Sequence, residues 1–206
     1  MNPRAVGDAT CILVFLSMVV VTVTASSFPS YQSATGLACA ILALLPVLFR
    51  RFRVVSLPGS LTVMVAVALG LHGTGVMYGF YDTKEMFDVL THVFSSFMLA
   101  QCVFLVLCYY QVSNGRVRFT GLSMPLMVAM VMLSFGVYWE VAEFLIDAVA
   151  GTVMQYGPMD TVLDMLSNAM GCTLASLYVA YGMRGTTPEE VVADLDMHPV
   201  FSSLTR

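Results

Sequence analysis

The chain has 206 residues, 58% of them hydrophobic and only 11% charged, with a mean hydropathy of +0.83 and a formal net charge of −4. Water-soluble domains carry about 25% charged residues, so this composition excludes a soluble enzyme and describes an all-α, polytopic membrane protein. No basic run interleaved with aromatics points to a nucleic-acid partner, and the five cysteines form no C-x-x-C pair.

Six apolar runs divide the chain into a bundle of six transmembrane helices, each near the roughly 20 residues that a bilayer requires. The first, 10–25, follows Arg4 and Asp8 and ends at Ala25-Ser26-Ser27. That pattern also fits a signal peptide, but the multi-span continuation favours an uncleaved first helix. A turn with Pro29 leads to the second run, 34–49, which carries Pro46 and is followed at once by Arg50, Arg51 and Arg53. The third, 60–80, holds His72 among glycines 70, 73, 75 and 79, small residues that let helices approach closely. A charged connection with Asp82, Lys84, Glu85 and Asp88 precedes the fourth, 89–111, with His92, Ser95 and Ser96 in its first half. Arg116 and Arg118 mark the next turn. The fifth run, 122–149, carries Glu140, Glu143 and Asp147, and the sixth, 160–183, begins with Asp160 and Asp164. These six make one domain, 1–183. The remainder, 184–206, is an acidic tail in which Thr187 and Pro188 are suited to starting a short helix.

Charge fixes an orientation. With six spans, Arg4, Arg50, Arg51, Arg53, Arg116, Arg118, Arg184 and Arg206 fall on one side and only Lys84 on the other. The positive-inside rule places both termini in the cytoplasm of an inner-membrane protein. Eight of the thirteen acidic residues then belong to the outer side. His72, His92 and Glu140 come to lie on the order of 10 Å below the outer ends of their helices, so polar groups from four helices share one level.

These residues have the types and spacing of a ligand set. Asp88 and His92 are i, i+4 on one face, and a carboxylate beside an imidazole fixes the tautomer of a ligand histidine. Glu140 and Glu143 are i, i+3, a pair able to supply bridging carboxylates to metals in helical bundles, although the better-known di-iron pattern is Glu-x-x-His. Asp160, Asp164 and Asn168 make a polar stripe along the sixth span, with Gly171 one turn on. The nearby positive groups, Lys84, His72 and His92, are too few to balance the acids if all are ionised. Either some acids are protonated or the pocket holds a cation. The expected metal ligands are His72, His92, Glu140, Glu143 and Asp164, with zinc, manganese or iron as the cofactor, and calcium or magnesium if oxygens alone coordinate. Asp88 and Asp160 are the candidates for base or supporting roles. Plainer readings compete. His72 fits a hydrogen-bonded structural histidine, Asp160 a helix N-terminus, Asp147 a solvated helix end, and Asp82, Lys84 and Glu85 a wet loop. Trp139 suits either an interfacial belt or a pocket wall.

The blocks LHGTGVMYGFYD (71–82), FDVLTHVFSSF (87–97), YWEVAEF (138–144) and GPMDTVLDMLSNAMG (157–171) resemble the YjdF-like family of small inner-membrane proteins. The last three blocks are also similar to VanZ-like proteins, which are associated with glycopeptide resistance. The resemblance carries the family's polar positions onto His72, Asp88, His92, Glu140, Glu143, Asp160, Asp164 and Gly171. The chain departs from the pattern in having Val93-Phe94-Ser95-Ser96 after the second histidine, where glycine-bearing sequence is usual, and Phe144 where tryptophan is common. The resemblance implies a shared fold and site and names no reaction. The function expected first is a metal-dependent enzyme acting on a lipid or envelope-linked substrate from the outer side. The rivals are a non-catalytic subunit or scaffold, in which the acidic tail docks a basic partner of a membrane complex or the chain self-associates, and an ion-coupled transporter. The near absence of ionisable groups from the inner halves of the spans argues against a transporter.

Overall fold

The structure, a computed structural model, describes residues 2–24, 30–84 and 86–195. Its described residues form helices joined by turns: α1 (Pro3–Thr24), α2 (Ser30–Ala43), α3 (Leu45–Arg51), α4 (Gly59–Tyr78), α5 (Phe80–Thr83), α6 (Phe87–Asn114), α7 (Ser123–Ala150), α8 (Pro158–Gly182) and α9 (Pro188–Ala193). Six segments are long and apolar enough to cross a membrane: α1, α2 with α3 (Tyr31–Arg51), α4, α6, α7 and α8. The proposed cleavage motif at 25–27, Pro29, Glu85 and Asp196 lie outside the described residues.

Local chemistry explains the boundaries. Pro46 has no N–H to continue the helical ladder and suits the first turn of a helix, and the second span divides at Leu44 into α2 and α3. α1 starts seven residues earlier than hydrophobicity alone indicates. Pro3 is suited to a first helical position, and Asp8, now inside the helix, is paired with Arg50. α4 ends at Gly79, whose φ of 63° is a left-handed conformation that glycine adopts without strain. α6 and α7 have 28 residues each. At 1.5 Å per residue each is about 42 Å long, more than the roughly 30 Å hydrocarbon layer. Asp88 and Asp147, near their ends, therefore sit at the edge of the apolar zone.

The helices pack as two groups of three. α1, α2 and α4 close around Met18, Cys39, Ala40 and Met77, and α6, α7 and α8 around Ala100, Val128, Met132, Cys172 and Ala175. A seam of Leu61, Ala68 and Met98 joins α4 to α6. The cysteines are free thiols, buried or half-buried within this packing. Large apolar side chains cover the outside: Val23 is 76% exposed, Phe144 61% and Leu177 62%. A monomer in water rarely shows so much contiguous apolar surface; acyl chains are its natural solvent. Within the second group, α8 comes close to α6 at Gly171. A Cβ there would run into the Val93 carbonyl oxygen and come within 3.0 Å of the Ser96 Cβ. Loss of the side chain thus brings the α8 backbone against α6.

The two ends of the bundle differ in charge. At one, Arg4 donates to the Asp194 carbonyl oxygen at 2.8 Å and Arg50 pairs with Asp8. Here α9 folds back against α6 instead of extending, with Pro188 and Leu195 buried. Its start is a capping box: the Glu190 N–H donates to Thr187 Oγ1 and the Thr187 N–H to the Glu190 carboxylate. At the other end, the loop 151–157 is joined to α5 by a hydrogen bond from the Tyr156 hydroxyl to Asp82. The candidate site lies beneath this connection.

Candidate functional site

The site is assembled from α6, α7 and α8, with α4 and α5 beside it. His92, in the second turn of α6, is its hub. Its Nε2 lies 3.2 Å from Asp88 Oδ1, one turn earlier on the same helix, and 3.5 Å from Asp164 Oδ1 on α8. Its Nδ1 lies 3.2 Å from the Asn168 side-chain oxygen, which also accepts a 2.6 Å hydrogen bond from the Ser96 hydroxyl. A carbonyl oxygen can only accept, so Nδ1 carries a proton and donates it. That leaves Nε2 pointing at two carboxylates, both acceptors. The arrangement is satisfied by a second proton on the imidazole, by a carboxyl O–H of Asp88 or Asp164 donating to Nε2, or by a cation among the three groups.

A second cluster lies alongside. Glu140, Glu143 and Asp164 are 5%, 8% and 3% exposed. One ligand atom from each of these three lies within 4.8 Å of the others, and the same holds for Asp88, His92 and Asp164. Asp164 belongs to both sets. Donors around one zinc ion at about 2.1 Å are at most about 4.2 Å apart, so modest rotation of side chains would close either set on an ion. The outer partners are also in place. The Trp139 indole N–H donates to Glu143 Oε1 at 2.9 Å, one turn away on α7. Gln155 Nε2 donates to the Glu140 backbone carbonyl at 3.0 Å and approaches its Oε2 at 3.5 Å. Glu140 Oε1 is buried and has no hydrogen-bond partner. A carboxylate oxygen left bare in a low-dielectric interior is costly, a cost that a proton shared with a neighbouring acid or a bound cation would relieve.

The other expected residues fall into different positions. His72, on α4, belongs to neither three-residue set. Its Nδ1 is engaged at 2.9 Å with the Tyr81 hydroxyl, in edge-to-face contact with that ring. Burial pushes the Tyr81 phenol well above its ordinary pKa, so it stays protonated. Asp160 accepts from the Tyr156 N–H at 3.0 Å and so closes the start of α8. Asp147 differs from a solvated helix end. Its carboxylate accepts from the Thr152 hydroxyl at 2.7 Å, from the Met154 N–H at 2.8 and 2.9 Å and from the Gln155 N–H at 2.9 Å. It therefore shapes the loop that delivers Gln155 to Glu140. Trp139 is both interfacial, at 45% exposed, and a wall of the pocket. Gln155, Tyr81 and Tyr156 escape a reading of the sequence because each acts across a turn whose course only the fold reveals. Ser96 could be read from its place one turn after His92.

Fold and site together define a six-span helical membrane protein with a buried cluster of acids and histidine near one end. Residues 9–185 match the family of predicted membrane proteins designated DUF2238, and the chain belongs to that family. A relative from Thermotoga maritima, described as an uncharacterized protein, is 27% identical over 138 residues, covering 64% of this chain and 68% of its own. No solved structure matches the chain.

Proposed function

We propose that the cluster is a divalent-metal site of a membrane enzyme acting on a lipid or envelope-linked substrate. The observation that carries this reading is the buried, unpartnered oxygen of Glu140, set among Glu143 and Asp164. Asp88, His92 and Asp164 would supply one set of donors and Glu140, Glu143 and Asp164 the other. Nitrogen with carboxylate oxygen suits zinc, manganese or iron. Such an ion would make bound water a nucleophile near neutral pH. In the charge-based orientation the pocket opens to the outer side of an inner membrane, with both termini in the cytoplasm. The exposed apolar residues of α7 beside it, Phe144 and Tyr138, suit approach by a substrate with acyl chains. The YjdF-like resemblance fits this site, and the VanZ-like resemblance of the last three blocks is a further reason to look among envelope-linked substrates. His72 joins as a positioning residue through its bond to Tyr81.

Elemental analysis of the purified full-length protein tests the reading. The expected result is about one or two equivalents of zinc, manganese or iron per chain, removed by chelation and absent from a Glu140→Gln, Asp164→Asn variant. Less than about a tenth of an equivalent, with no change on chelation, would overturn it. Co-purification of a stoichiometric partner, lost on deleting 188–206, would favour the scaffold reading instead.

A further inference from the structure

A second polar centre lies at the end of the bundle opposite the acidic pocket. Arg50, Arg51 and Arg53 close the last turn of α3 and the bend after it, and with Asp8 and Val47 they line a cavity of about 390 Å³. Arg50 is used internally: it pairs with Asp8 and reaches the Arg4 carbonyl oxygen at 3.4 Å. Arg51 and Arg53 are exposed, and no ion pair or hydrogen bond engages either guanidinium among the described residues.

The backbone places them deliberately. The Arg53 N–H bonds to the Arg50 carbonyl at 3.0 Å and the Val54 N–H to the Phe49 carbonyl at 2.8 Å. This is the paired pattern that ends a helix in a left-handed residue, a position where glycine is usual. Here it is Arg53, at φ 56°. An arginine in a conformation disfavoured by its own Cβ marks a site where the side chain matters. Between the two free arginines stands Phe52, 73% exposed.

One residue further on, Val54 and Val55 begin the wall of an apolar cleft of about 270 Å³, completed mainly by Leu57, Leu105, Val106 and Leu195. A cationic cradle followed at once by an apolar cleft, at the end of a membrane-spanning segment, is complementary to an amphiphile with an anionic head. Guanidinium groups hold phosphate oxygens in a bidentate fork, and basic pockets beside membrane helices are known to take anionic head groups. We infer that Arg51 and Arg53 bind the phosphate of an anionic phospholipid, with Phe52 at the level of its glycerol and one acyl chain in the cleft that starts at Val54.

The test uses the full-length protein in a non-ionic detergent, with bound lipid counted by native mass spectrometry. The probes are phosphatidylglycerol, phosphatidylcholine of the same acyl chains, and inorganic phosphate. Phosphatidylglycerol is expected to be retained preferentially, and phosphate at millimolar concentration not to displace it. Arg51→Gln with Arg53→Gly weakens retention on the order of tenfold or more, whereas Arg116→Gln with Arg118→Gln, changed at the same end, leaves it intact. The Arg53→Gly single variant separates binding from folding, because glycine suits the left-handed backbone better than arginine; it is expected to fold normally and retain less lipid. Equal retention of phosphatidylcholine, displacement by free phosphate, or equal loss in the 116/118 variant would each overturn the inference.

Discussion

Glu140 is the residue on which the site turns, and its energetics set a test. Insertion scales put an acidic group at membrane depth at roughly 2.5–3.5 kcal/mol, and Glu140 Oε1 meets that cost without a hydrogen bond. Replacing it by glutamine supplies an amide that can donate to the neighbouring carboxylates of Glu143 and Asp164. The metal-free Glu140→Gln protein is therefore expected to be more stable than the parent by about 1–3 kcal/mol in thermal or denaturant unfolding. Under the proposed metal reading, added manganese or zinc is expected to stabilise the parent and not the variant. A destabilised variant that still responds to the metal would show that Glu140 is not a ligand. Asp147 works differently, since its carboxylate holds the loop through four hydrogen bonds. Asp147→Ala is expected to loosen the loop 151–157 while leaving the helices folded. Faster amide exchange at 154 and 155 would report the loosened loop, and unchanged exchange would sink the assignment. At this scale the sequence is half legible. Spacing on single helices gives the pairs Asp88–His92 and Glu140–Glu143. It is blind to Gln155, whose partner is 15 residues away around a turn, and it reads Asp147 as solvated because a helix-end acid usually is.

At the scale of elements, the site exists because α6 and α8 touch. Gly171 permits the contact, and His92, Ser96 and Asn168 are bonded within a turn of it. A stripe of polar residues on one helix would otherwise face lipid. Gly171→Leu is expected to destabilise the fold by about 1–3 kcal/mol or more through overpacking, and to lower bound metal in the same preparation, because separating the backbones pulls Asp164 from His92. Gly182→Ala is the matched control. No neighbour lies within 4 Å of a Cβ there, so its effect should stay within about 1 kcal/mol, with metal content unchanged. Metal retained in full by a folded Gly171→Leu protein would separate the crossing from the site. Helix number and type are legible from hydropathy, since six apolar runs of near-spanning length admit few other folds. Helix ends are less so. α1 begins early because Arg50 compensates Asp8 across 42 residues, and the helical segment after Pro188 docks on α6 through apolar contacts that its acidic composition conceals.

For the whole molecule, the segregation of charge argues for the membrane orientation and sets its test. Arg4, Arg50, Arg51, Arg53, Arg116, Arg118 and Arg184 gather at one end, and Asp82, Asp88, Asp147, Asp160 and Asp164 at or near the other. Such separation has two physical sources. Arginine is retained on the cytoplasmic side during insertion, whereas acids contribute little to orientation. The acids are therefore not where they are because topology demands it, and their concentration needs a separate cause; a cation site supplies one. The two ideas are separable by experiment. Lys84 and Arg116 are exposed at opposite ends, while the native cysteines are buried or half-buried, so a membrane-impermeant maleimide has little background. In intact spheroplasts Lys84→Cys is expected to label at once and Arg116→Cys only after permeabilisation. The reverse pattern would turn the pocket toward the cytoplasm, ruling out the proposed outer-side substrate while leaving the proposed metal site open to its own test. Equal labelling of both would indicate a dual orientation, which a bias of eight basic residues against one makes energetically unfavourable.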